Sequence, residues 1–259
     1  MTKYIIASFV AIVVLSGCTG EDLISTENST VQNVQQAAGE EEYVAPIDNL
    51  HSRELMNNIP IGTLTQAEKD GLILMREEEK LARDVYLTLY EKWEQRIFSN
   101  IASSEQTHTD TVKYLIDRYD LEDPVKDDTV GVFTDPKMQK LYDDLVAQGN
   151  QSVGDAFIVG ATIEDLDIKD LQDLLEETES EDILVAYENL LRGSRNHMRA
   201  FNRQLEREGL TYEAQFLTQA QIDEILAGEQ ERGSGGGNGG GGGGQGGRGQ
   251  GGGGQDMNR

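Results

Sequence analysis

Four long stretches of the chain place apolar residues at alternating spacings of three and four. They cover residues 65–93, 99–119, 153–177 and 180–209. Such spacing puts the apolar side chains on one face of an α-helix and leaves polar residues around the rest of it. No segment shows the alternation of a half-buried strand, and the sequence contains no repeat of solenoid length. The pattern predicts an all-α protein whose four long helices form an antiparallel bundle.

Two shorter helices are predicted beside the four long ones. Asp135-Pro136 and Gly149 bracket an extra helix between the second and third long helices, because proline suits the first turn and glycine the end. A short C-terminal helix is predicted from Thr218 to Leu226. The longer connection that holds the first of these helices is where a crossover along the bundle would lie.

Each apolar stripe is interrupted near its middle by side chains that do not belong in an apolar core. In chain order these are Glu79 on the first helix, Glu105 and His108 on the second, Glu164 and Asp167 on the third, and His197 on the fourth. If the four faces meet, all of these side chains point inward, and no Lys or Arg lies at the stripe positions to neutralise the carboxylates. Burying unpaired carboxylates is very costly. The pattern therefore predicts a metal centre, in which two divalent ions would balance the carboxylate charge.

The kinds of side chain at these interruptions restrict the metal. Glu105 and His108 form a Glu-x-x-His pair, which lies on one helix face with one turn between its members. Carboxylate oxygens together with imidazole nitrogens suit iron or manganese, with zinc as an alternative. Glu77 and Glu78 precede Glu79 and are predicted to be solvated or to flank the helix.

The charge and the cysteine content exclude some classes of function. The 47 acidic and 22 basic residues give a formal net charge of -25, so a nucleic acid would be repelled. The single cysteine allows no intrachain disulfide. That cysteine, Cys18, follows the apolar run of residues 4–15 and the small residues Ser16-Gly17.

The N-terminal run is too short to span a bilayer and fits the hydrophobic region of a signal peptide. The small residues before Cys18 resemble the lipobox of bacterial lipoproteins, in which the peptide is removed before the cysteine and the cysteine carries the lipids. An ordinary signal peptide with an unrelated cysteine is the alternative. The lipobox predicts a protein of the cell envelope, periplasmic or surface-exposed, anchored to a membrane through Cys18.

Composition divides the chain into four parts. Residues 1–17 form the predicted lipoprotein signal peptide, and residues 18–60 are polar, acidic and aperiodic, as in a disordered tether. Residues 61–228 form the predicted helical domain. Residues 229–259 are mostly glycine and cannot bury enough surface to offset their backbone entropy, so a disordered tail is predicted.

The helical domain resembles the ferritin-like superfamily, nearest to its rubrerythrin and bacterioferritin branch. More closely, it resembles a family of uncharacterised bacterial ferritin-like domains often found in secreted or lipid-anchored proteins. Four motifs, within about Thr65 to Leu226, carry the resemblance. They are residues 79–86 (EKLARDVY), Glu105-x-x-His108, residues 160–167 (GATIEDLD) and residues 192–197 (RGSRNH).

The resemblance implies a di-iron centre and a set of ligand roles. Glu79 and Glu164 would be terminal ligands, Glu105 a bridging ligand, and His108 and His197 terminal nitrogen ligands. The implied chemistry is oxidation of ferrous iron by oxygen or peroxide, or the reduction of peroxide. The chain has no Cys-x-x-Cys module, so an external protein would have to donate electrons in a peroxidase cycle.

The fourth helix departs from the superfamily pattern. Ser194 stands where the superfamily has a glutamate, so one bridging carboxylate is missing, and Asp167 is predicted to replace it in part. A single metal, a different metal or none is the alternative. Tyr86 and Tyr187 are predicted to be core aromatics hydrogen-bonded near the site. The rival function is that of a non-catalytic surface lipoprotein that binds metal or a protein partner.

Overall fold

The computed structural model describes residues 49–232, and every regular element in this part of the chain is an α-helix. The helices in chain order are α1 (Asn49–Asn58), α2 (Gln66–Trp93), α3 (Arg96–Arg118), α4 (Pro136–Gly149), α5 (Val153–Glu177), α6 (Glu181–Arg207) and α7 (Gln219–Ala227). The all-α bundle is thereby confirmed, with α2, α3, α5 and α6 as the four long helices. The predicted extra helices are α4 and α7.

Side-chain caps set the starts of several helices. Thr65 and Glu68 form a reciprocal capping box at the start of α2, and Thr218 and Gln221 form another at α7. Ser152 accepts a hydrogen bond from the backbone N–H of Asp155 and so caps α5. These caps lie where the sequence predicted helix starts.

Contacts between helix ends define the topology. Trp93 Nε1, at the end of α2, donates to the carbonyl of Gly149, just before α5, at 2.8 Å. Tyr119 Oη, after α3, donates to Asp182 in the first turn of α6 at 2.7 Å. Neighbouring helices are therefore antiparallel, whereas α3 and α5 run in the same direction. The chain has to cross the length of the bundle between them, and α4 lies in this crossover.

A buried ion pair fixes the crossover to α2. Lys80, which is 1% exposed, donates from Nζ to Asp84 Oδ2 at 2.5 Å and to the carbonyls of Thr129 and Val132, both at 3.1 Å. The backbone N–H of Gly131 donates to the same Asp84 oxygen at 3.0 Å. Both charged groups also bind backbone atoms of the crossover. The ion pair therefore holds the crossover segment against α2.

An aromatic cluster fills the bundle on one side of the interrupted stripes. Tyr86 lies 5.3 Å from Phe201 and 6.4 Å from Phe98 between ring centroids, and Phe98 stacks on Phe157 at 5.6 Å. Gly160 makes room for this cluster, since a Cβ there would come within 2.3 Å of the Phe201 ring. The contact of the Phe201 ring with α5 therefore requires glycine at this position.

The folded part extends past the predicted domain boundaries at both ends. The tether predicted for residues 18–60 includes α1, whose Met56 is fully buried. Tyr114 Oη donates to Asn57 Oδ1 at 2.6 Å and so ties α1 to α3. At the other end, Glu231 accepts from Arg199 Nη2 at 2.9 Å, within the predicted tail. The predicted signal peptide, Cys18 and residues 233–259 lie outside the described residues.

Candidate metal centre

Five of the six predicted ligands meet at the middle of the bundle. Glu79 comes from α2, Glu105 and His108 from α3, Glu164 from α5 and His197 from α6. Each of them is at most 1% exposed. All four long helices therefore contribute to a single buried polar cluster, as their interrupted stripes predicted.

The first half of the cluster is formed by Glu79, Glu105 and His108. His108 Nδ1 lies 2.6 Å from Glu105 Oε2 and 3.1 Å from Glu79 Oε2. Ligand atoms around a first-row metal ion at about 2.1 Å are roughly 3 Å from one another. The spacing of these three side chains thus suits a common ion.

The second half is formed by Glu105, Glu164 and His197. His197 Nδ1 lies 2.8 Å from Glu105 Oε1 and 3.5 Å from Glu164 Oε2. Glu105 belongs to both halves and offers a different oxygen to each, while the two imidazole rings lie 5.7 Å apart between centroids. The arrangement is that of two three-ligand groups sharing one carboxylate.

Unpartnered polar atoms show that these residues fit metal ions. Glu79 Oε1 and His108 Nε2 are buried and make no hydrogen bond, and the contacts of His197 Nδ1 with Glu105 Oε1 and Glu164 Oε2 lack hydrogen-bond geometry. Buried polar atoms are nearly always paired in proteins, because an unpaired one keeps its full desolvation cost. The cluster can therefore hold a metal ion.

The electrostatics of the cluster also favour a cation. Burial, reinforced by Glu105 and opposed by His108, raises the pKa of Glu79 to about 8. Burial resists ionisation of Glu105 as well, but His108 and His197 outweigh it and lower its pKa. Burial opposes a charge on His197, yet Glu105 and Glu164 raise its pKa to about 9. Protons and metal ions therefore compete for the same atoms.

Two hydroxyl groups orient the ligands of the second half. Tyr86 Oη donates to Glu164 Oε1 at 2.5 Å and lies 3.3 Å from the carbonyl of Gly160. Ser104 Oγ lies 3.1 Å from His197 Nε2. With Nε2 engaged in this way, the Nδ1 atom of His197 faces the carboxylates, which is the arrangement a metal-binding histidine requires.

Comparison with known proteins places the chain in a family. Residues 68–229 match the family described as an uncharacterized protein domain, DUF2202. This match covers more than half of the chain and includes all five clustered side chains. The chain belongs to the DUF2202 family.

A relative from an archaeon shares this DUF2202 fold. The uncharacterized protein MJ0754 of Methanocaldococcus jannaschii is 54% identical over 180 residues, which cover 70% of this chain and 97% of the relative. The crystal structure of hypothetical protein MJ0754 superposes with a TM-score of 0.66 at 55% identity, over 67% of this chain and 99% of that chain. The helical bundle is therefore shared at high sequence identity.

The remaining predicted site residues of this DUF2202 protein lie around the cluster. Asp167 is 2% exposed, and burial together with the charges of Glu79 and Glu164 raises its pKa, but it belongs to neither three-ligand group. Ser194 Oγ donates to the carbonyl of Leu190 at 3.2 Å within its own helix. Tyr187 Oη lies beside Gly71, about two turns before Glu79 along α2.

Two residues near the centre differ from the prediction made from the sequence. Glu78, predicted to be solvated or to flank the helix, is 3% exposed and hydrogen-bonded to Asp170. Ser104 was not predicted to take part. Its position directly before Glu105 could have indicated this role, because a small hydroxyl side chain there can reach the neighbouring helix without a steric clash.

Proposed function

We propose that this DUF2202 protein is a ferritin-like protein whose centre holds two metal ions, with iron as the metal. The proposed activity is oxidation of ferrous iron by oxygen or peroxide, or the reduction of peroxide. The sharing of Glu105 between two buried three-ligand groups is the observation that carries the proposal. A carboxylate with one oxygen toward each group is suited to bridging two ions.

Bound iron would supply the electrons. When bound, two ferrous ions would supply two electrons, which together with two protons would convert one hydrogen peroxide molecule into two water molecules. The protein residues have other tasks. Glu79, Glu105, Glu164 and the two histidines would hold the ions, and Tyr86 keeps Glu164 in place through its hydroxyl group. The aromatic rings beside Tyr86 keep bulk water out of that side of the centre.

Metal content of the full chain after anaerobic loading with Fe²⁺ tests this proposal. We expect about two irons per chain, and an optical change typical of oxidised, bridged iron when oxygen or peroxide is added. The double substitution His108→Ala/His197→Ala removes one nitrogen ligand from each half and should abolish tight iron binding. His51 is the third histidine of the chain and was not predicted to be a ligand, so His51→Ala serves as the matched control.

Two results would count against the proposal. Undiminished iron stoichiometry in the double variant would show that the ligand assignment is wrong. A wild-type chain that takes up no iron at any loading would remove the basis for redox chemistry altogether.

A second candidate function is supported by Ser194. This side chain bonds to its own helix and supplies no carboxylate from α6, so the second half of the centre has one ligand fewer than the superfamily pattern implies. A non-catalytic surface lipoprotein that binds one metal or a protein partner fits this feature. One tightly bound ion per chain with no response to oxygen or peroxide would favour that function.

The cellular placement is a separate part of the proposal. The small residues before Cys18 support a membrane anchor in the cell envelope. We expect Cys18→Ala to move the protein from the membrane fraction to the soluble fraction, measured by fractionation of expressing cells. None of the described helices has the length and apolarity needed to cross a bilayer.

A further inference from the structure

A row of carboxylates leads outward along α5 from the candidate metal centre, and only its innermost member, Glu164, belongs to the centre. Glu164, Asp167, Asp170 and Asp173 follow one another on α5 at intervals of three residues. Each step of three turns the side chain by about 60° around the helix and moves it about 4.5 Å along the axis. A column of this kind rotates gradually from the inside of a bundle to its surface.

The exposure of these side chains follows that rotation. Glu164 is fully buried, Asp167 is 2% exposed, Asp170 is partly buried, and the Asp173 side chain is 52% exposed. The inner end of the column is the centre itself. At the outer end Asp173 pairs with Lys169 one turn away. Four consecutive acidic positions thus connect solvent with the buried cluster.

The facing helix contributes a fifth carboxyl group. Glu78 on α2 is 3% exposed and shares a hydrogen bond with Asp170. Asp167 is electrostatically coupled to Glu78 on one side and to Glu79 and Glu164 on the other. On α5 it lies three residues from Glu164 and three from Asp170, between the Glu78–Asp170 pair and the centre.

Among the members of this set that lie outside the centre, two oxygens have no partner. Glu78 Oε2 and Asp167 Oδ2 are buried and make no hydrogen bond. Such atoms are expensive to bury, and an apolar residue at either position would remove the cost. The buried cations of this region serve other groups, since Lys80 pairs with Asp84 and Arg76 with Asp123. The free oxygens are therefore available to an external cation.

We propose that Glu78, Asp170 and Asp167 form a transit site, which passes divalent metal ions from solvent to the centre. Metal ions would reach Asp170 from the surface, exchange part of their water for carboxylate oxygens at the Glu78–Asp170 pair, and move past Asp167 to Glu79 and Glu164. No bond other than metal–ligand bonds forms or breaks in this sequence. The inference rests on the proposed function, because a transit site needs a metal centre to supply.

The rate of metal uptake tests this role, because a transit site changes the rate of binding and leaves the final occupancy unaltered. The probe is Co²⁺ alone, mixed with the full chain in a stopped-flow instrument and followed by the visible absorption of the bound ion. The double substitution Glu78→Gln/Asp170→Asn keeps size and hydrogen-bonding capacity and removes the charge. We expect at least a tenfold slower uptake, a weaker dependence on salt, and the same final stoichiometry.

A matched control separates this local effect from that of overall charge. Asp144→Asn removes one exposed carboxylate of a similar lysine pair on α4, Lys140–Asp144. It should change the rate less than twofold. A Glu78→Gln/Asp170→Asn variant as fast as wild type would overturn the transit site and leave the metal centre intact.

Two further outcomes would also overturn the inference. A lower final stoichiometry in the variant, with an unchanged rate, would mean that Glu78 and Asp170 hold a resident ion. A wild-type chain that binds no Co²⁺, Fe²⁺ or Mn²⁺ would remove the proposed function and the transit site together. Circular dichroism of each variant shows whether the fold is retained.

Discussion

Gly160 contacts both the aromatic cluster and the tyrosine that holds Glu164. Its missing side chain lets the Phe201 ring approach α5, and its carbonyl lies 3.3 Å from the Tyr86 hydroxyl that holds Glu164. Any side chain at this position has to move the ring, because a Cβ would come within 2.3 Å of it. Packing and ligand orientation are therefore linked through one backbone position.

Gly160→Ala should destabilise the protein by about 1 to 3 kcal/mol, the usual cost of overpacking a filled core. Urea denaturation measures this change in the free energy of unfolding. Adding Phe201→Leu should recover part of the loss, because the smaller side chain leaves room for the new methyl group. If Gly160→Ala were neutral alone, the close contact between α5 and α6 would not be important for stability.

Asp165 carries a structural task that is separate from that of its neighbour Glu164. It is fully buried, and its two oxygens accept hydrogen bonds from the Tyr212 hydroxyl and from three consecutive backbone N–H groups, at 2.7 to 3.1 Å. These three N–H groups belong to residues 215–217. The carboxylate thus holds the segment between α6 and α7 against the bundle.

Asp165→Asn should cost about 3 kcal/mol, because the new NH₂ group faces donors and the lost charge weakens the remaining bonds. Hydrogen exchange should accelerate at residues 215–217 before it does so in the helices. Asp223→Asn, an exposed change on α7, provides the control and should be near neutral. Unchanged protection at residues 215–217 would contradict the anchoring role.

At the scale of elements, Glu68 joins the start of α2 to the start of α6. One of its oxygens accepts from the backbone N–H of Thr65 at 2.8 Å, and the other accepts from that of Ser180 at 2.8 Å. Burial raises the pKa of this carboxyl, but the backbone and hydroxyl donors of Thr65 and Ser180 outweigh it and lower the pKa to about 2. The ionised form is therefore the one that stabilises the fold.

This shift predicts a dependence of stability on pH. Because the folded pKa lies near 2 and the ordinary value is 4.5, the contribution is complete above pH 4.5 and is lost as the pH falls towards 2. Glu68→Gln should be less stable than wild type by about 2 kcal/mol at pH 7, and the difference should shrink steadily between pH 4.5 and 2. Glu91→Gln, an exposed change on α2, should show no such trend in denaturation curves. A constant difference between Glu68→Gln and wild type would contradict the shift.

The elements themselves followed from the sequence because their signals are local. The Thr65 capping box, the Ser152 cap and the three-and-four spacing of apolar residues act within one helix, and these starts agree with the structure. The five clustered ligands were also predictable, since a polar residue in mid-stripe has to lie inside any bundle formed by those stripes. The spacing of apolar and polar residues was therefore sufficient to predict most of the fold and of the candidate centre.

What could not be predicted depends on contacts between distant parts of the chain. Helix α1 is short and mostly polar, and its place is set by Met56 and by the hydrogen bond from Tyr114 to Asn57. Glu78 reads as a surface residue because it lies off the stripe of α2, and its burial results from the approach of Asp170 on α5. Neither contact can be predicted from the local spacing of apolar and polar residues.

At the scale of the whole molecule, the net charge and the helix topology both favour the binding of cations at the candidate centre. The formal net charge of -25 concentrates cations near the surface and makes the compact state repel itself. The candidate metal centre lies where all four long helices meet, so bound cations would reduce this repulsion at the point common to the whole bundle. Metal binding and global stability are therefore expected to be coupled.

Removal of metal should lower the thermal midpoint of unfolding. A ligand present at one hundred times its Kd stabilises a protein by about 2.7 kcal/mol per site, so two filled sites give roughly 5 kcal/mol. For a chain of this size each kcal/mol moves the midpoint by about 2 to 4 °C, which predicts a fall of about 10 to 20 °C after chelation. Calorimetry of chelated and Fe²⁺-loaded protein under anaerobic conditions measures it.

The variant without the two histidines shows whether the stabilising ions bind at the centre or elsewhere. His108→Ala/His197→Ala should have the same midpoint with and without metal, because it lacks a nitrogen ligand in each half. If its midpoint still rose with metal, the stabilising ions would be bound by surface carboxylates and the centre would not be responsible. A response confined to wild type would show that the stabilising ions bind at the cluster around Glu105, the one side chain that both halves share. The bound ions would then explain how these carboxylates can be buried.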